Sequence, residues 1–479
     1  MSAEQILTEG DWRPASSGDT IAIIDPSDGQ VFAEIARGDA EDIDRAVATA
    51  RKAFESHWNQ APSFERGRLI RRLGELVDSH HDELARLESR DTGKPLKQSN
   101  VDATVAARYF EFYGGAADKL HGDTLPFLTD YQVLTLREPF GVTGHIIPWN
   151  YPLQMGARTM AAALAAGNAI VIKPAEEACL TVLRLAELAL EAGIPADVIN
   201  IVTGFGEEAG AALAAHHDVD HVSFTGSPEV GTLVQQGAAK HNVGCTMELG
   251  GKSPQIVFAD ADFDAALPVI INAIVQNAGQ TCSAGSRLLI ESSAYDGFIA
   301  HVAERFRALK VGPSGKDLDC GPLISEVQRA RVNSYVEHAR EESIPVIAEA
   351  SVDDDAPCGG FYVAPVLFGP VPHTNRLACE EVFGPVLSAI RFEDESDAIG
   401  IANGTDYGLT AGLWTDNGGR QLRVAKALRC GQVFVNSYGA GGGVELPFGG
   451  MKRSGHGREK GMEALHDLTT VKTVVMRHG

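Results

Sequence analysis

The chain has 479 residues, more than one hydrophobic core usually supports, so two or three domains are expected. Its 41 basic and 64 acidic residues give a formal net charge of −23, which opposes binding to phosphate backbones and to anionic membranes. We therefore expect neither a nucleic-acid nor a membrane partner.

The amino-terminal segment and the cysteines favour a cytoplasmic protein. Residues 1–14 contain three acidic residues and no basic region followed by an apolar run, so no secretory signal is visible. Seven scattered cysteines form no CxxC pair, and the doublets His80-His81 and His216-His217 lack metal-ligand spacing. The sequence thus predicts reduced thiols and no metal site.

The first 140 residues predict a hairpin, two amphipathic helices and an isolated strand. Residues 21–24 alternate, and the pattern resumes at Val31 after a turn with Pro, Asp and Gly. Helices are expected after the N-cap Asp39 and around residues 69–77, where apolar side chains recur at helical spacing. Strands at 131–137 and 469–476 have no helix attached, which makes them candidates for an edge that pairs with another subunit.

Residues 142–247 alternate between strands and helices. Strands are predicted at 142–147, 169–172, 198–202 and 221–224, and helices at 152–166, 178–192, 206–215 and 228–239. The short links imply right-handed crossovers and a parallel, doubly wound sheet that binds its ligand beyond the carboxyl ends of the strands. Further strands at 287–290 and 386–391, with helices at 294–309 and 325–342, predict another α/β domain.

The predicted strand ends carry polar residues suited to a nucleotide, although no GxGxxG follows any strand. Ser227 precedes a helix, where free N–H groups favour an anion, but a simple helix cap is the alternative. Lys173 and Glu176 follow a buried strand, where a carboxylate can accept hydrogen bonds from ribose hydroxyls. Glu176 would repel a 2′-phosphate, which favours NAD over NADP, and the alternative is an ordinary ion pair.

Three further features are candidates for chemistry. Glu248 lies in a glycine-rich turn and Cys282 among small polar residues, so they could supply a general base and a nucleophile, although a lone cysteine is usually inert and buried. Asn150 could donate to an oxyanion or cap the helix that follows. The run Gly439-Ala440-Gly441-Gly442-Gly443 lacks the Walker lysine and is interpreted as a flexible pocket loop.

Seven strings appear together in one order: PWNYP (148–152), KPAE (173–176), FTGS (224–227), ELGGKSP (248–254), GQTCSAGSR (279–287), EEVFGPV (380–386) and PFGGMKRSGHGRE (447–459). Over nearly its whole length the chain resembles the NAD(P)-dependent aldehyde dehydrogenase superfamily. The resemblance implies an α/β fold with a Rossmann-like doubly wound cofactor domain (1–118 and 139–249), an α/β catalytic domain (250–446) and a small β oligomerisation domain (119–138 and 460–479). It also implies a homodimer or a homotetramer.

The resemblance assigns roles in aldehyde oxidation. Cys282 would attack the aldehyde to form a thiohemiacetal and then a thioester, and Glu248 would activate the water that hydrolyses it. Asn150 and the Cys282 backbone N–H would form the oxyanion hole. A non-catalytic cofactor-binding or structural protein on the same scaffold is the alternative function.

The resemblance likewise implies a cofactor site for NAD. Lys173 and Glu176 would hold the adenosine ribose and Ser227 the pyrophosphate. Glu381 would hold the nicotinamide ribose, and Phe383 would lie against the nicotinamide. The other residues expected beside the cofactor are Ile146, Ile147, Pro148, Trp149, Gly206, Phe224, Gly226, Leu249 and Gly250.

Two departures from the family pattern concern the small-molecule aldehyde. Arg158 stands where many members carry an aromatic residue, and it would either clamp the carboxylate of a semialdehyde or pair with an acid of the protein. The glycine-rich loop before Pro447 replaces larger residues and would admit a bulky or aromatic aldehyde. Tyr151 and Phe448 are the other residues expected at the substrate.

Overall fold

The computed structural model describes residues 4–439 and 443–479. Residues 440–442, in the middle of the predicted pocket loop, therefore lie outside the described residues. In the part of the chain that is described, no helix is long and apolar enough to cross a membrane.

The strands are Ile6–Thr8 (β1), Asp11–Arg13 (β2), Thr20–Ile24 (β3), Val31–Ala36 (β4), Thr124–Leu125 (β5), Tyr131–Pro139 (β6), Val142–Ile147 (β7), Ala169–Pro174 (β8), Ile199–Ile201 (β9), His221–Thr225 (β10), Gly244–Glu248 (β11), Pro254–Val257 (β12), Arg287–Glu291 (β13), Lys310–Val311 (β14), Val346–Glu349 (β15), Ser351–Val352 (β16), Val366–Phe368 (β17), Val386–Phe392 (β18), Thr410–Trp414 (β19), Gln432–Val435 (β20), Gly455–His456 (β21) and Thr469–Arg477 (β22). The helices are Ala40–Ser56 (α1), Ser63–Ser79 (α2), His81–Thr92 (α3), Leu96–Ala116 (α4), Pro152–Ala166 (α5), Leu180–Glu191 (α6), Ala211–Ala214 (α7), Pro228–Ala239 (α8), Phe263–Val275 (α9), Tyr295–Ala308 (α10), Glu326–Glu341 (α11), Arg376–Cys379 (α12), Glu395–Asn403 (α13), Gly418–Ala427 (α14) and Gly461–Asp467 (α15).

The first sheet has eight strands in the order β2-β1-β9-β8-β7-β10-β11-β21. Its five central strands are parallel, and antiparallel strands flank them on both sides. Every residue of β7 and β8 is buried, as expected for parallel strands covered by helices on both faces. The predicted doubly wound parallel sheet is therefore confirmed.

The second sheet has seven strands in the order β15-β17-β18-β13-β12-β19-β20. All neighbours are parallel except β15 and β17. Separate apolar clusters form around it, one containing Phe368 and Leu413 and the other Phe298 and Leu387. This confirms the second predicted α/β unit.

The third sheet is small and lies apart from the other two, in the order β22-β6-β5. The two strands predicted to lack helices pair with each other along their whole length, from Thr469 opposite Pro139 to Arg477 opposite Tyr131. The oligomerisation role and the domain bounds stay predictions. Within those bounds, α15 packs into the core of the first sheet, because Ala464 and Leu465 are buried there.

Local bounds agree closely where the sequence pattern is strong. The strand at 142–147 and the helices at 152–166 and 228–239 have the predicted limits. The helix predicted at 206–215 is wrong in part: residues Gly206–Gly210 form one wide π-helical turn, and only Ala211–Ala214 is α-helical. Glycine at both ends of the wide turn weakens a regular helix, because glycine loses the most backbone freedom when it is ordered.

The link between the two large sheets positions the site. Glu248 is the last residue of β11 in the first sheet, and β12 of the second sheet begins at Pro254. Cys282 lies between α9 and β13 of the second unit. The turn after Glu248 therefore crosses from one α/β unit to the other.

Candidate active site

The turn after Glu248 is fixed on both sides by backbone hydrogen bonds. The N–H of Gly226 donates to the carbonyl oxygen of Glu248 at 3.0 Å. The N–H of Leu249 donates to the carbonyl of Ser454 at 3.1 Å, and the Ser454 hydroxyl donates to the carbonyl of Gly250 at 2.7 Å. Gly226, which follows β10, and Ser454, which precedes β21, thus hold the Glu248 turn in place.

The Cys282 loop follows a tight left-handed bend. Asn277, Ala278 and Gly279 have φ angles of 48°, 53° and 73°, so the chain reverses between the end of α9 and the cysteine. A Cβ atom on Gly251 would lie 2.3 Å from the carbonyl oxygen of Cys282, a distance that no side chain can occupy. Glycine at position 251 therefore lets the Glu248 turn contact the cysteine loop directly.

Residues at the end of β7 reach across to the cysteine loop. The side-chain amide of Asn150 donates to the carbonyl of Gln280 at 2.9 Å, and the hydroxyls of Tyr151 and Thr281 are 2.8 Å apart. Tyr151 occupies the N-cap position of α5, and its side chain makes no capping hydrogen bond to the helix. The helix-cap alternative for Asn150 is therefore wrong, because its amide is directed to the residues that precede Cys282.

Burial disfavours the charged form of both reactive groups. Burial raises the pKa of the Cys282 thiol to about 12, and the negative charges of Glu381 and Glu248 add to the effect. Burial also raises the pKa of the Glu248 carboxyl well above its ordinary value, assisted by the nearby charge of Glu459. Glu248 is 2% exposed, and neither of its carboxyl oxygens has a hydrogen-bond partner among the described residues.

A cavity of about 1220 Å³ joins these groups between the two α/β units. The predicted site residues that line it are Pro148, Trp149, Asn150, Tyr151, Arg158, Gly226, Ser227, Glu248, Gly250, Cys282, Glu381, Phe383 and Phe448. Gly439, at the start of the predicted pocket loop, lines it as well. The predicted nucleophile, base and amide donor therefore face one space.

One part of the cavity has the features of a nucleotide site. The rings of Trp149 and Phe383 meet edge to face with centroids 5.5 Å apart. A carboxyl oxygen of Glu381 accepts from the N–H of Gly251 at 2.9 Å, and burial raises the pKa of this carboxyl to about 7. Ser227 caps α8 by accepting from the N–H of Val230 at 3.3 Å, so the cap interpretation is confirmed without excluding an anion at the same helix end.

Other predicted cofactor residues lie outside the lining of this cavity. They are Ile146, Ile147, Lys173, Glu176, Gly206, Phe224 and Leu249. Lys173 and Glu176 form an ion pair at 2.6 Å after β8, and the other oxygen of Glu176 accepts from the N–H of Gly206 at 3.4 Å. These three residues form a second polar group at the carboxyl edge of the first sheet, where parallel α/β sheets bind nucleotides.

Arg158 has a protein partner. Its guanidinium forms a buried ion pair with Glu459 and donates to the hydroxyl of Thr225 at 3.3 Å. The other oxygen of Glu459 accepts from the hydroxyl of Ser223 at 2.9 Å. The structure therefore shows the pairing with an acid that the sequence left open as an alternative to a substrate clamp.

Three residues that the structure places at this site have no role in the sequence-based prediction. The Tyr438 hydroxyl donates to the carbonyl of Ser283 at 2.6 Å, beside the nucleophile. Glu459 neutralises Arg158, and Lys460 lines the cavity. The available signal was Glu459, which ends the string PFGGMKRSGHGRE, and Lys460, which follows it. Nothing in the sequence near Tyr438 indicates its contact.

A doubly wound nucleotide-type sheet joined to a second α/β unit, with a partly buried cysteine in the intervening cavity, is typical of an α/β oxidoreductase. The family model described as "Aldehyde dehydrogenase family" matches residues 12–474. The chain belongs to the aldehyde dehydrogenase family, whose members oxidise aldehydes.

Individual relatives agree over the full length. A mitochondrial aldehyde dehydrogenase of Arabidopsis thaliana, family 2 member B4, is 44% identical over 99% of this chain and 88% of its own. A crystal structure of a Burkholderia cenocepacia protein described as an aldehyde dehydrogenase is 61% identical, with a TM-score of 0.99 over 99% of this chain and all of its own. PnpE of Pseudomonas sp. WBC-3, solved in complex with nicotinamide adenine dinucleotide, is 39% identical with a TM-score of 0.96, covering 99% of this chain and 98% of its own. The predicted fold and family are thereby confirmed.

Proposed function

We propose that the protein oxidises an aldehyde to the corresponding carboxylic acid with NAD as the oxidant. One observation carries the proposal: Cys282, Glu248 and Asn150 come from three separate segments and line the same cavity. A cofactor-binding or structural protein has no need for a nucleophile, a base and an amide donor at one point. The catalytic function is therefore the better account of these contacts.

The chain's own residues would divide the work as follows. The Cys282 thiolate adds to the aldehyde carbon, and the oxyanion of the thiohemiacetal accepts from the Asn150 amide and the Cys282 N–H. Bound NAD would supply the acceptor for the hydride that leaves this carbon. Glu248 then takes a proton from the water that hydrolyses the Cys282 thioester.

Two features of this chain fit NAD. The aromatic pair Trp149 and Phe383 lies in the same cavity as the helix end at Ser227, so a flat ring and a phosphate could both be held there. At the carboxyl edge of the sheet, Glu176 offers a partly exposed carboxylate that would accept from ribose hydroxyls and repel a 2′-phosphate. PnpE, solved with the same dinucleotide, supports this choice. A catalytic efficiency with NADP equal to that with NAD would contradict the preference.

The assignment is tested with Cys282→Ala. With a panel of aldehydes, the formation of reduced cofactor is monitored by its absorbance. We expect it to fall to background, because alanine has no nucleophile and water cannot replace the thiolate. Cys358→Ala is the matched control and should keep full activity, since Cys358 is an exposed cysteine that does not line the cavity. Retained turnover in Cys282→Ala would rule out the proposed mechanism.

We also propose that the protein is a homodimer or homotetramer whose subunits meet at the sheet of β5, β6 and β22. The support is the free outer edge of β22, which in the described residues has a strand neighbour only on the β6 side.

A further inference from the structure

Lys460 has an unusual backbone position beside the catalytic groups. It follows Glu459, which pairs with Phe448 through two backbone hydrogen bonds of 2.6 and 2.8 Å, and it directly precedes α15. Its φ and ψ angles are 65° and 169°, a conformation that glycine adopts and other residues rarely do. A lysine held there indicates that its side chain is needed at this place, because glycine would adopt the same backbone without strain.

The Lys460 side chain lies at the wall of the cavity, beside Phe448. It lines the cavity together with Cys282, Glu248 and Arg158, and its ammonium lies 5.1 Å from the centre of the Phe448 ring. Within residues 4–439 and 443–479, this ammonium makes no hydrogen bond and no ion pair. The positive charge is therefore unpaired at the wall of the cavity.

Two of the buried cations near the site have carboxylate partners. Lys94 is paired with Glu88 and Asp102, and Arg158 with Glu459. A buried charge without a partner is costly, so unpaired cations at a cavity wall are candidates for binding an anion.

The acids around Lys460 are not available to neutralise it. Glu459 is engaged by Arg158 and by the hydroxyl of Ser223. Burial raises the pKa of the Glu248 carboxyl, which weakens its tendency to carry the negative charge that would pair with Lys460. Burial and the neighbouring Arg158 lower the pKa of Lys460 to about 8, so the ammonium is still the main form at neutral pH and is short of negative charge.

We propose that Lys460 binds a carboxylate carried by the aldehyde substrate, at the end remote from the reacting carbonyl. The inference rests on the proposed function and names its substrate class: aldehydes with a terminal carboxylate. The Phe448 ring beside the ammonium would contact the apolar carbons that separate the two ends of such a substrate. Lys460, rather than the neutralised Arg158, is then the residue that selects an anionic aldehyde.

The test compares matched aldehydes with and without the charge. Catalytic efficiency is measured for succinate semialdehyde and for its uncharged methyl ester, with the wild type, Lys460→Met and Lys460→Arg. We expect Lys460→Met to lower the catalytic efficiency about tenfold or more with the semialdehyde, because a charge-assisted hydrogen bond typically contributes a factor of that size. With the ester, which lacks the charge, the loss should be less than about twofold. Lys460→Arg should keep most of the preference because it keeps the charge.

Lys240→Met is the control for overall charge. Lys240 is exposed at the end of α8. Its replacement by methionine changes the net charge by the same amount as Lys460→Met, and it should leave the ratio of the two catalytic efficiencies unchanged. Equal losses for semialdehyde and ester in Lys460→Met would overturn the proposal, because they would show that Lys460 acts on Cys282 or Glu248 instead.

A binding measurement separates this inference from the proposed function. Isothermal titration calorimetry with butyrate and butyramide reports on the charge pair without turnover. We expect the wild type to bind butyrate more tightly than butyramide, and Lys460→Met to bind both alike. Wild-type protein that does not distinguish the two ligands contradicts the role of Lys460, whereas loss of aldehyde oxidation alone would contradict only the proposed function.

Discussion

Burial raises the pKa of both Glu248 and Cys282, and so it opposes the charged form that each group needs for the reaction. The thiol pKa of about 12 means that the thiolate is rare at neutral pH in the protein alone. A positive charge placed in the cavity would favour both anions. The low polarity that disfavours ionisation also strengthens the oxyanion contacts once an adduct has formed.

Glu248→Gln should separate the two halves of the reaction. Glutamine cannot take a proton from water, so the thioester forms but is hydrolysed slowly. We expect a burst of about one reduced cofactor per site, followed by turnover at least about 100-fold slower, in stopped-flow absorbance measurements. An unchanged steady-state rate would show that another group activates the water.

The same variant should change how stability depends on pH. The folded protein keeps the Glu248 proton at pH values where the unfolded chain, with an ordinary pKa of 4.5, has released it. As pH rises above 4.5, ionisation of Glu248 in the unfolded chain therefore lowers the free energy of unfolding. Glu248→Gln has no such proton to release, so it removes this decrease. We expect the melting temperature of Glu248→Gln to match that of the wild type near pH 5 and to exceed it increasingly toward pH 8. A difference that shrinks with pH would contradict the raised pKa.

The turn between β11 and β12 is the element on which the site geometry depends. Gly251→Ala would place a methyl group against the carbonyl of Cys282, which is backbone and cannot rotate away. We expect the catalytic rate to fall at least about tenfold, because displacements of about 1 Å at reacting groups have large effects. The measurement is steady-state aldehyde oxidation.

Gly115→Ala provides the control for this substitution. Gly115 lies in α4 with no atom within 4 Å of an added Cβ, so alanine there should leave the rate unchanged and raise stability slightly. Full activity in Gly251→Ala would show that the two loops are not in the close contact described here.

Elements with a strong local pattern could be predicted from the sequence. The limits of the buried strand β7 and of the helices α5 and α8 are predicted as observed, because capping or breaking residues flank them. The strand β12 was not predicted, since four residues after a glycine-rich turn carry little periodic signal. The partner of Arg158 could not be predicted either: Glu459 lies some 300 positions along the chain, and only tertiary structure brings them together.

At the scale of the whole molecule, the sheet of β5, β6 and β22 exposes several large apolar side chains to solvent. Leu136, Val471 and Val475 are 41%, 50% and 55% exposed, next to an open strand edge. Apolar patches of this kind mark protein interfaces. We therefore expect light scattering coupled to size exclusion to give two or four times the chain mass of 50.9 kDa.

Val475→Glu should weaken this assembly, because it places a charge in the apolar patch. Val327→Glu is the matched control, since Val327 is 80% exposed on α11, away from the sheet. A monomeric wild type, or equal effects of both substitutions, would contradict the proposed interface.

The position of β21 has a consequence for biosynthesis. Gly455 and His456 lie beside Glu248 and Met247 in the first sheet, although the ribosome makes them long after β11. At a translation rate of about 5 to 20 residues per second, roughly 10 to 40 s pass between the synthesis of β11 and that of β21, and during this time the edge of β11 is unpaired. A chain released before Gly455 would keep that edge open and would be exposed to aggregation, so the nucleotide half cannot be completed before the end of the message has been read.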